Sequence, residues 1–225
     1  MDKTWVKMAR WLVVVAMPFF LGFTTIRLII SDFYPRYEYA KANFPADGEW
    51  TPAQRLELTL VAVDYLARPQ PAEQVIYLLE EQRKPGTEQP LYDEREISHM
   101  VDVKRVTDVI RRLSWLATAV VVGGLAVLLA RPSRRPAAYQ AIWSGGLATT
   151  LLLLFLALFI AIGWSVFFVQ FHQLLFPPGT WTFAYTDSLI RLFPEKFWFD
   201  LGILLSVSTL VEGLVVAAVG YLLQR

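Results

Sequence analysis

Four blocks of this chain, Trp11–Ile30, Leu113–Ala130, Leu147–Val169 and Leu201–Leu223, stay apolar for about 18–23 residues each. That is the length an α-helix needs to cross a hydrocarbon core ~30 Å thick. A single segment can cross only as a helix, because lipid offers no partners to backbone N–H and C=O groups. Apolar residues make up 55% of the 225, above the ~45–50% of a soluble domain, and the excess sits in these blocks. The sequence therefore predicts an all-α membrane protein with four transmembrane helices and a mainly helical extracytoplasmic cap.

The placement of charge decides which side is which. Lys3, Lys7 and Arg10 precede the first block, Arg131, Arg134 and Arg135 separate the second from the third, and Arg225 ends the sequence. Asp2 is the only acid among these segments. The long stretch Ser31–Arg112 instead carries eleven basic and fifteen acidic residues. Lys and Arg in short loops mark the cytoplasmic side. The expectation is a multi-pass protein of the cell (inner or plasma) membrane with both termini in the cytoplasm. Residues 1–30 form the amino-terminal segment and first span, and 31–112 the cap, whose last helix leads into the second span, 113–130. Residues 131–146 are a cytoplasmic loop and the start of the third helix, 147–169 the third span, 170–196 an outer interfacial loop, and 197–225 the fourth span and carboxyl terminus.

After the first block comes Thr24-Thr25-Ile26-Arg27-Leu28 rather than a small-x-small cleavage pattern, so the block reads as a retained anchor. Arg27 is placed to snorkel to the outer interface. A net charge of +1 implies no nucleic-acid partner, and the absence of cysteine excludes a disulfide-stapled cap and a thiol nucleophile.

Within the cap, Asp32–Trp50 reads as an irregular, aromatic-rich entry. Thr51-Pro52 has the form of an N-cap and first helical residue, and Pro69 closes that helix. A second short helix is expected over about Pro71–Gln82. Lys84-Pro85-Gly86 is a turn signal. Asp93-Glu94-Arg95-Glu96 has the pattern of an N-cap answered three residues later by a carboxylate. The helical pattern then continues without a breaker through His99, Val103, Val106 and Ile110 into the second span. From Pro136 to Thr186 there is no charged residue apart from any charge on His172, and Pro177-Pro178-Gly179 must interrupt so long an apolar run. The segment Gln170–Phe199 is dense in aromatic residues, which favour the headgroup depth.

The chain has two histidines, and the topology places both His99 and His172 at the outer interface. Alone, an interfacial histidine is an ordinary amphipathic residue. Two that make up the whole complement and fall at the same leaflet become candidates for proton exchange near neutral pH. Glu94, Arg95, Glu96 and Asp102 surround His99 in sequence; a carboxylate among them would orient the imidazole, or all would be solvated surface pairs. Asp187 and Arg191, four apart, are spaced for an ion pair. Glu212 lies near the middle of the fourth span, where an ionisable residue is a functional candidate by default. It is too deep to join the histidines, and a hydrogen bond to another helix is the expected arrangement. Gly163-Trp164-Ser165-Val166-Phe167 lacks the second glycine of a nucleophile elbow. No H-E-x-x-H, P-loop or dinucleotide fingerprint appears, so neither a metal nor a cofactor is expected. Among enzymatic readings, histidine acid–base chemistry on a lipid-borne substrate is what remains.

Two long segments resemble the hallmarks of a known family. Glu94-Arg95-Glu96-Ile97-Ser98-His99-Met100-Val101-Asp102-Val103-Lys104 is similar to the first. Phe171-His172-Gln173-Leu174-Leu175-Phe176, with Trp181-Thr182-Phe183 and Asp187-Ser188-Leu189-Ile190, is similar to the second, which Leu192-Phe193-Pro194-Glu195-Lys196-Phe197-Trp198 continues. These belong to the small integral membrane proteins that include the bacterial lipoprotein intramolecular transacylase. The resemblance implies transfer of the sn-2 acyl chain of a diacylglyceryl-cysteine to that cysteine's own α-amine, forming lyso-form lipoprotein. It implies His99 and His172 as the catalytic pair. Glu94, Arg95, Glu96, Asp102, Trp181, Phe183, Asp187 and Arg191 are the candidates to bind substrate or support the site. Its partners would be diacylglyceryl-modified lipoproteins and membrane lipids. Two other classes fit the same groove: a non-catalytic protein binding lipoproteins or lipid headgroups, and a lipid acyl hydrolase. Turnover separates the first from the transacylase, and the product separates the second.

The charge asymmetry yields a direct test. Reporter fusions at Gly86 and Ser133 should behave oppositely, with the Gly86 fusion active outside the cytoplasm. Cytoplasmic activity at Gly86 overturns the topology.

Overall fold

The computed structural model describes residues 3–225, so Asp2, the acid set against the amino-terminal positive charges, lies outside the described residues. In chain order the helices are α1 (Lys3–Ile29), α2 (Phe33–Tyr39), α3 (Pro52–Ala67), α4 (Ala72–Val75) and α5 (Tyr77–Glu80). They are followed by α6 (Glu94–Leu129), α7 (Arg135–Leu175), α8 (Ser188–Leu192) and α9 (Glu195–Leu223). Among the described residues the only strand-like pairing is an isolated bridge between Arg83 and Pro90.

The helices α1, α6, α7 and α9 are long and apolar enough to cross a membrane. Only 28, 22, 11 and 22% of their most apolar stretches is buried inside the protein. Leu116, Phe155 and Ile162 are among the large side chains left exposed. In water that much open apolar surface would drive association; in a bilayer it faces its natural solvent. The protein is an all-α membrane protein, as the four apolar blocks require. The helix α7 is 41 residues long, ~60 Å at 1.5 Å per residue and about twice a hydrocarbon core. It is interrupted at Gly163, whose φ of −120° and ψ of 38° are not helical. It ends at Leu175, just short of Pro177-Pro178, so His172 stands on a helix and the segment expected as an interfacial loop begins helical.

The chain divides into two compact units, and α6, α7 and α9 each contribute residues to both. One unit takes the chain up to Arg27, Ile110–Ile162 and Gly202–Arg225. Val13, Val14, Met17, Leu21, Val121 and Ala141 form its buried cluster. Here α7 and α9 touch backbone to backbone. A Cβ on Gly146 would lie 2.3 Å from the Ala217 amide nitrogen and 2.6 Å from the Gly213 carbonyl. A Cβ on Gly220 would lie 2.3 Å from the Trp143 nitrogen. Small residues at such crossings are how membrane helices gain van der Waals contact, since lipid supplies no hydrophobic drive between them. Glu212 accepts a hydrogen bond from the Thr25 hydroxyl, 3.0 Å from either carboxyl oxygen, the inter-helix bond expected for it. Arg27 lies 3.4 Å from the Ser114 hydroxyl and stacks its guanidinium over Trp115.

The other unit comprises Leu28–Val109 and Gly163–Leu201. Its helix α3 begins with Thr51 as N-cap and Pro52 first, closed by a reciprocal bond with Gln54. The entry expected to be irregular contains α2, because Tyr34, Pro35, Glu38 and Tyr39 form a buried face at helical spacing. The second short helix is two single turns, α4 and α5, divided at Ile76. Tertiary hydrogen bonds tie these pieces to the segment around α8. The Tyr34 hydroxyl donates to the Phe197 carbonyl (2.6 Å) and that of Tyr39 to the Leu192 carbonyl (2.7 Å). The Arg55 guanidinium donates to the carbonyls of Arg191 and Pro45.

The α7–α9 contact leaves no room for a side chain at Gly146. Gly146→Val should lower stability by about 1–3 kcal/mol, the usual penalty of overpacking. Gly123, with open space around its Cβ position, should accept alanine without loss. Thermal unfolding of the detergent-solubilised variants measures both, and equal behaviour of the two would contradict the close approach.

Candidate functional site

The start of α6 is built by a reciprocal cap. The Asp93 carboxylate accepts from the Glu96 amide, and the Glu96 carboxylate accepts from the Asp93 amide, each at 2.8 Å. The second Glu96 oxygen accepts from the Leu189 amide in α8 at 2.7 Å. Nearby, the Ser188 hydroxyl donates to the Leu91 carbonyl. Glu96 is buried, and burial pushes its carboxyl up against the two amides that hold it down. One turn further along α6, and on the same flank, stands His99.

His172 occupies the last turn of α7. Its Nδ1 lies 2.8 Å from the Phe168 carbonyl, one turn back. A carbonyl only accepts, so Nδ1 carries the proton and Nε2 of the neutral ring keeps its lone pair. The His99 and His172 rings lie nearly parallel, with centroids 6.5 Å apart and planes 22° from each other. At that separation their nearest nitrogens are about 4 Å apart or more, beyond the ~3.2 Å reach of a direct hydrogen bond.

Aromatic rings enclose the pair. Phe176 contacts both, 4.9 Å from His99 and 5.5 Å from His172 between centroids. Phe183 lies 5.3 Å from His99, while Phe168 and Trp181 lie 4.0 and 5.0 Å from His172. Two polar atoms in this enclosure are buried without a partner: Nδ1 of His99 and Nε1 of Trp181. His99 precedes its apolar block by six charged residues, and His172 follows the 147–169 block, so both lie outside the apolar blocks. Burial, helped by His172 and opposed by the Asp102 carboxylate, pushes His99 down to about 4. Burial lowers His172 too, against a small opposing pull from the Phe168 carbonyl. Both imidazoles are therefore neutral at pH 7.

The remaining predicted residues divide between this cage and its surroundings. Arg95 pairs with Asp93 (2.9 Å) and Asp187 (3.4 Å), with its guanidinium 6.0 Å from the Phe183 ring. Glu94 is exposed on the first turn of α6. Asp102 pairs with Arg105 at 3.2 Å and does not hydrogen-bond His99. The expected Asp187–Arg191 ion pair is not formed. Asp187 is the N-cap residue of α8, and its carboxylate turns back to the Ala184 amide (2.8 Å) and to Arg95. Arg191 instead binds Asp47 and Glu49 and stacks on Trp50, 3.7 Å from the ring centroid. Its guanidinium holds the Asp47 carboxyl well below the usual range. Sequence reasoning missed the roles of Asp47 and Trp50, which no local spacing connects to α8. Phe168 and Phe176 carried a signal that went unused: they stand four residues before and after His172, one stripe of a helix. Among the described residues no three His, Asp or Glu side chains converge into a metal-binding group.

Comparison with known proteins identifies the family. Residues 11–198 match the profile of the family described as lipoprotein intramolecular transacylase Lit. An uncharacterized protein of Aquifex aeolicus (strain VF5) is 27% identical over 224 residues, covering 96% of this chain and 94% of that one. The in meso structure of the membrane integral lipoprotein intramolecular transacylase Lit from Bacillus cereus superposes with a TM-score of 0.79 at 20% identity. It covers 99% of this chain and 97% of its own. A variant of that protein with one histidine replaced by arginine gives 0.72 at 19% identity, covering 98% and 92%. The structural likenesses carry the fold, and the profile match over most of the length carries the family: the chain belongs to the lipoprotein intramolecular transacylases, an enzyme family of the membrane.

Proposed function

We propose that the protein moves the sn-2 acyl chain of a diacylglyceryl-cysteine lipoprotein onto the α-amine of that same cysteine, with His99 and His172 exchanging the protons. The observation that carries this reading is the pair of neutral imidazoles, His99 buried and His172 half-buried, 6.5 Å apart in an aromatic enclosure. The attacking nitrogen forms a bond to the ester carbonyl carbon, and the bond from that carbon to the glyceryl oxygen breaks. In net terms one proton leaves nitrogen and one reaches the departing oxygen. Nε2 of His172 takes the first, because its Nδ1 is committed to the Phe168 carbonyl. His99 delivers the second from one ring nitrogen while its other nitrogen takes up, through the bound headgroup, the proton held by His172, so both rings end neutral. Such acid–base assistance is worth roughly 10²–10⁴-fold per group. Donor and acceptor belong to one molecule, so the site's main task is to hold the headgroup in a reactive fold. The Phe168, Phe176, Phe183 and Trp181 rings limit water, which favours aminolysis over hydrolysis. The topology proposed with this reaction sets the site at the outer leaflet and both termini in the cytoplasm.

Purified protein in detergent, given a synthetic diacylglyceryl-cysteine peptide, should leave the parent mass unchanged and yield an N-acyl-cysteine fragment in tandem mass spectra. His99→Ala and His172→Ala should each lower the rate at least about 10²-fold while the protein stays folded. Loss of one acyl mass would mean a hydrolase. Retained activity in both variants would remove the histidines from the mechanism.

A further inference from the structure

A base and an acid do not complete this reaction. As the amine adds, negative charge develops on the ester carbonyl oxygen, and in an enclosure lined by rings that charge has little to rest on. Preorganised donors aimed at a developing oxyanion commonly supply the largest single contribution to acyl transfer. The Phe168, Phe176 and Phe183 side chains around the pair offer no donor. The indole of Trp181 does. Its ring is 5.0 Å from the His172 ring, tilted by 36°. Its Nε1 is buried with no hydrogen-bond partner.

An indole N–H can only donate. Buried donors are nearly always satisfied, and one left without an acceptor calls for an explanation in what binds there. Nδ1 of His99 is the other unpartnered polar atom of the same enclosure. An ester headgroup between the rings would answer both: its carbonyl oxygen accepts from the indole, and its glyceryl oxygen meets the imidazole of His99. Resting on the transacylase reading above, we propose that Trp181 is the oxyanion donor of this site. Its Nε1–H bonds the sn-2 carbonyl oxygen and tightens as that oxygen gains charge. No proton is transferred from the indole. When the tetrahedral adduct collapses, the carbonyl re-forms, the glyceryl oxygen leaves, and the bond to Trp181 relaxes.

Trp181→Phe keeps an aromatic ring and removes the donor. Site-specific replacement of Trp181 by benzothienylalanine is stricter, since sulfur takes the place of N–H in a ring of nearly the same shape. With the diacylglyceryl-cysteine peptide as substrate, both should lower kcat about 10²-fold or more, as loss of one oxyanion donor does elsewhere. KM should stay within about threefold and the pH profile should keep its shape, because the donor acts on the transition state and does not touch the histidine titrations. Should Trp181→Phe misfold, the benzothienyl protein decides alone. A kcat within about threefold of the parent, or a loss confined to KM, overturns the assignment while leaving the reaction intact. A parent protein that does not convert the peptide overturns the reaction and the assignment together.

Discussion

The carboxylate of Glu96 holds two backbone amides from distant parts of the chain, Asp93 beside it and Leu189 ninety-three residues on. The first bond starts α6 and the second binds α8 to that start. The two hallmark segments, far apart in sequence, thus meet at one buried side chain, with His99 a single turn away on the same helix. Removing the carboxylate would leave the buried Leu189 amide unsatisfied, at about 1–3 kcal/mol, and open the α6 cap as well. The neighbouring links from Arg95 to Asp187 and from Ser188 to Leu91 join the same two segments. Arg55 and Arg191 extend the joint: the Arg55 guanidinium holds the Arg191 carbonyl of α8 together with the Pro45 carbonyl, and Arg191 gathers Asp47 and Glu49 from the same helix-free loop.

The enclosure tunes the chemistry through what it withholds. Asp93, Glu96 and Asp102 lie close by in sequence, yet each has a cation or backbone amides to hold, and neither imidazole is hydrogen-bonded to a carboxylate. Without such a partner, burial favours the neutral ring. Two neutral imidazoles can accept and deliver a proton without placing a fixed charge beside apolar acyl chains. The Phe168 carbonyl sets the tautomer of His172, the kind of supporting contact that decides which nitrogen faces the substrate. Transfer within one substrate molecule then needs little more than orientation, exclusion of water and a place for the carbonyl oxygen.

Much of this architecture can be read from local pattern. Apolar block length identifies the four crossing helices, and the offsets Thr51 to Gln54 and Asp93 to Glu96 mark helix starts, because capping is a short-range event. What stays hidden depends on distant partners. Arg191 sits four residues from Asp187, but the Ala184 amide and Arg95 hold the Asp187 carboxylate, and the acids Arg191 binds lie some 140 residues upstream. The helix α2 forms in a stretch without clear periodicity because Tyr34 and Tyr39 find carbonyls near α9 and α8. The backbone contact of α7 with α9 at Gly146, Gly213 and Gly220 looks in sequence like scattered glycines. Only the pairing of two helices shows why no larger residue fits.

At the centre of this account is direct transfer within one lipopeptide, with no acyl group ever carried by the protein or exchanged between substrates. A crossover experiment addresses it most directly. One lipopeptide carries a deuterated sn-2 chain on an ordinary peptide, the other an ordinary chain on an isotopically heavy peptide, and the two are mixed with the protein. Mass spectra of the N-acylated products should show only the two parental pairings. Crossed products approaching a statistical mixture would contradict intramolecular transfer, whichever residues perform it.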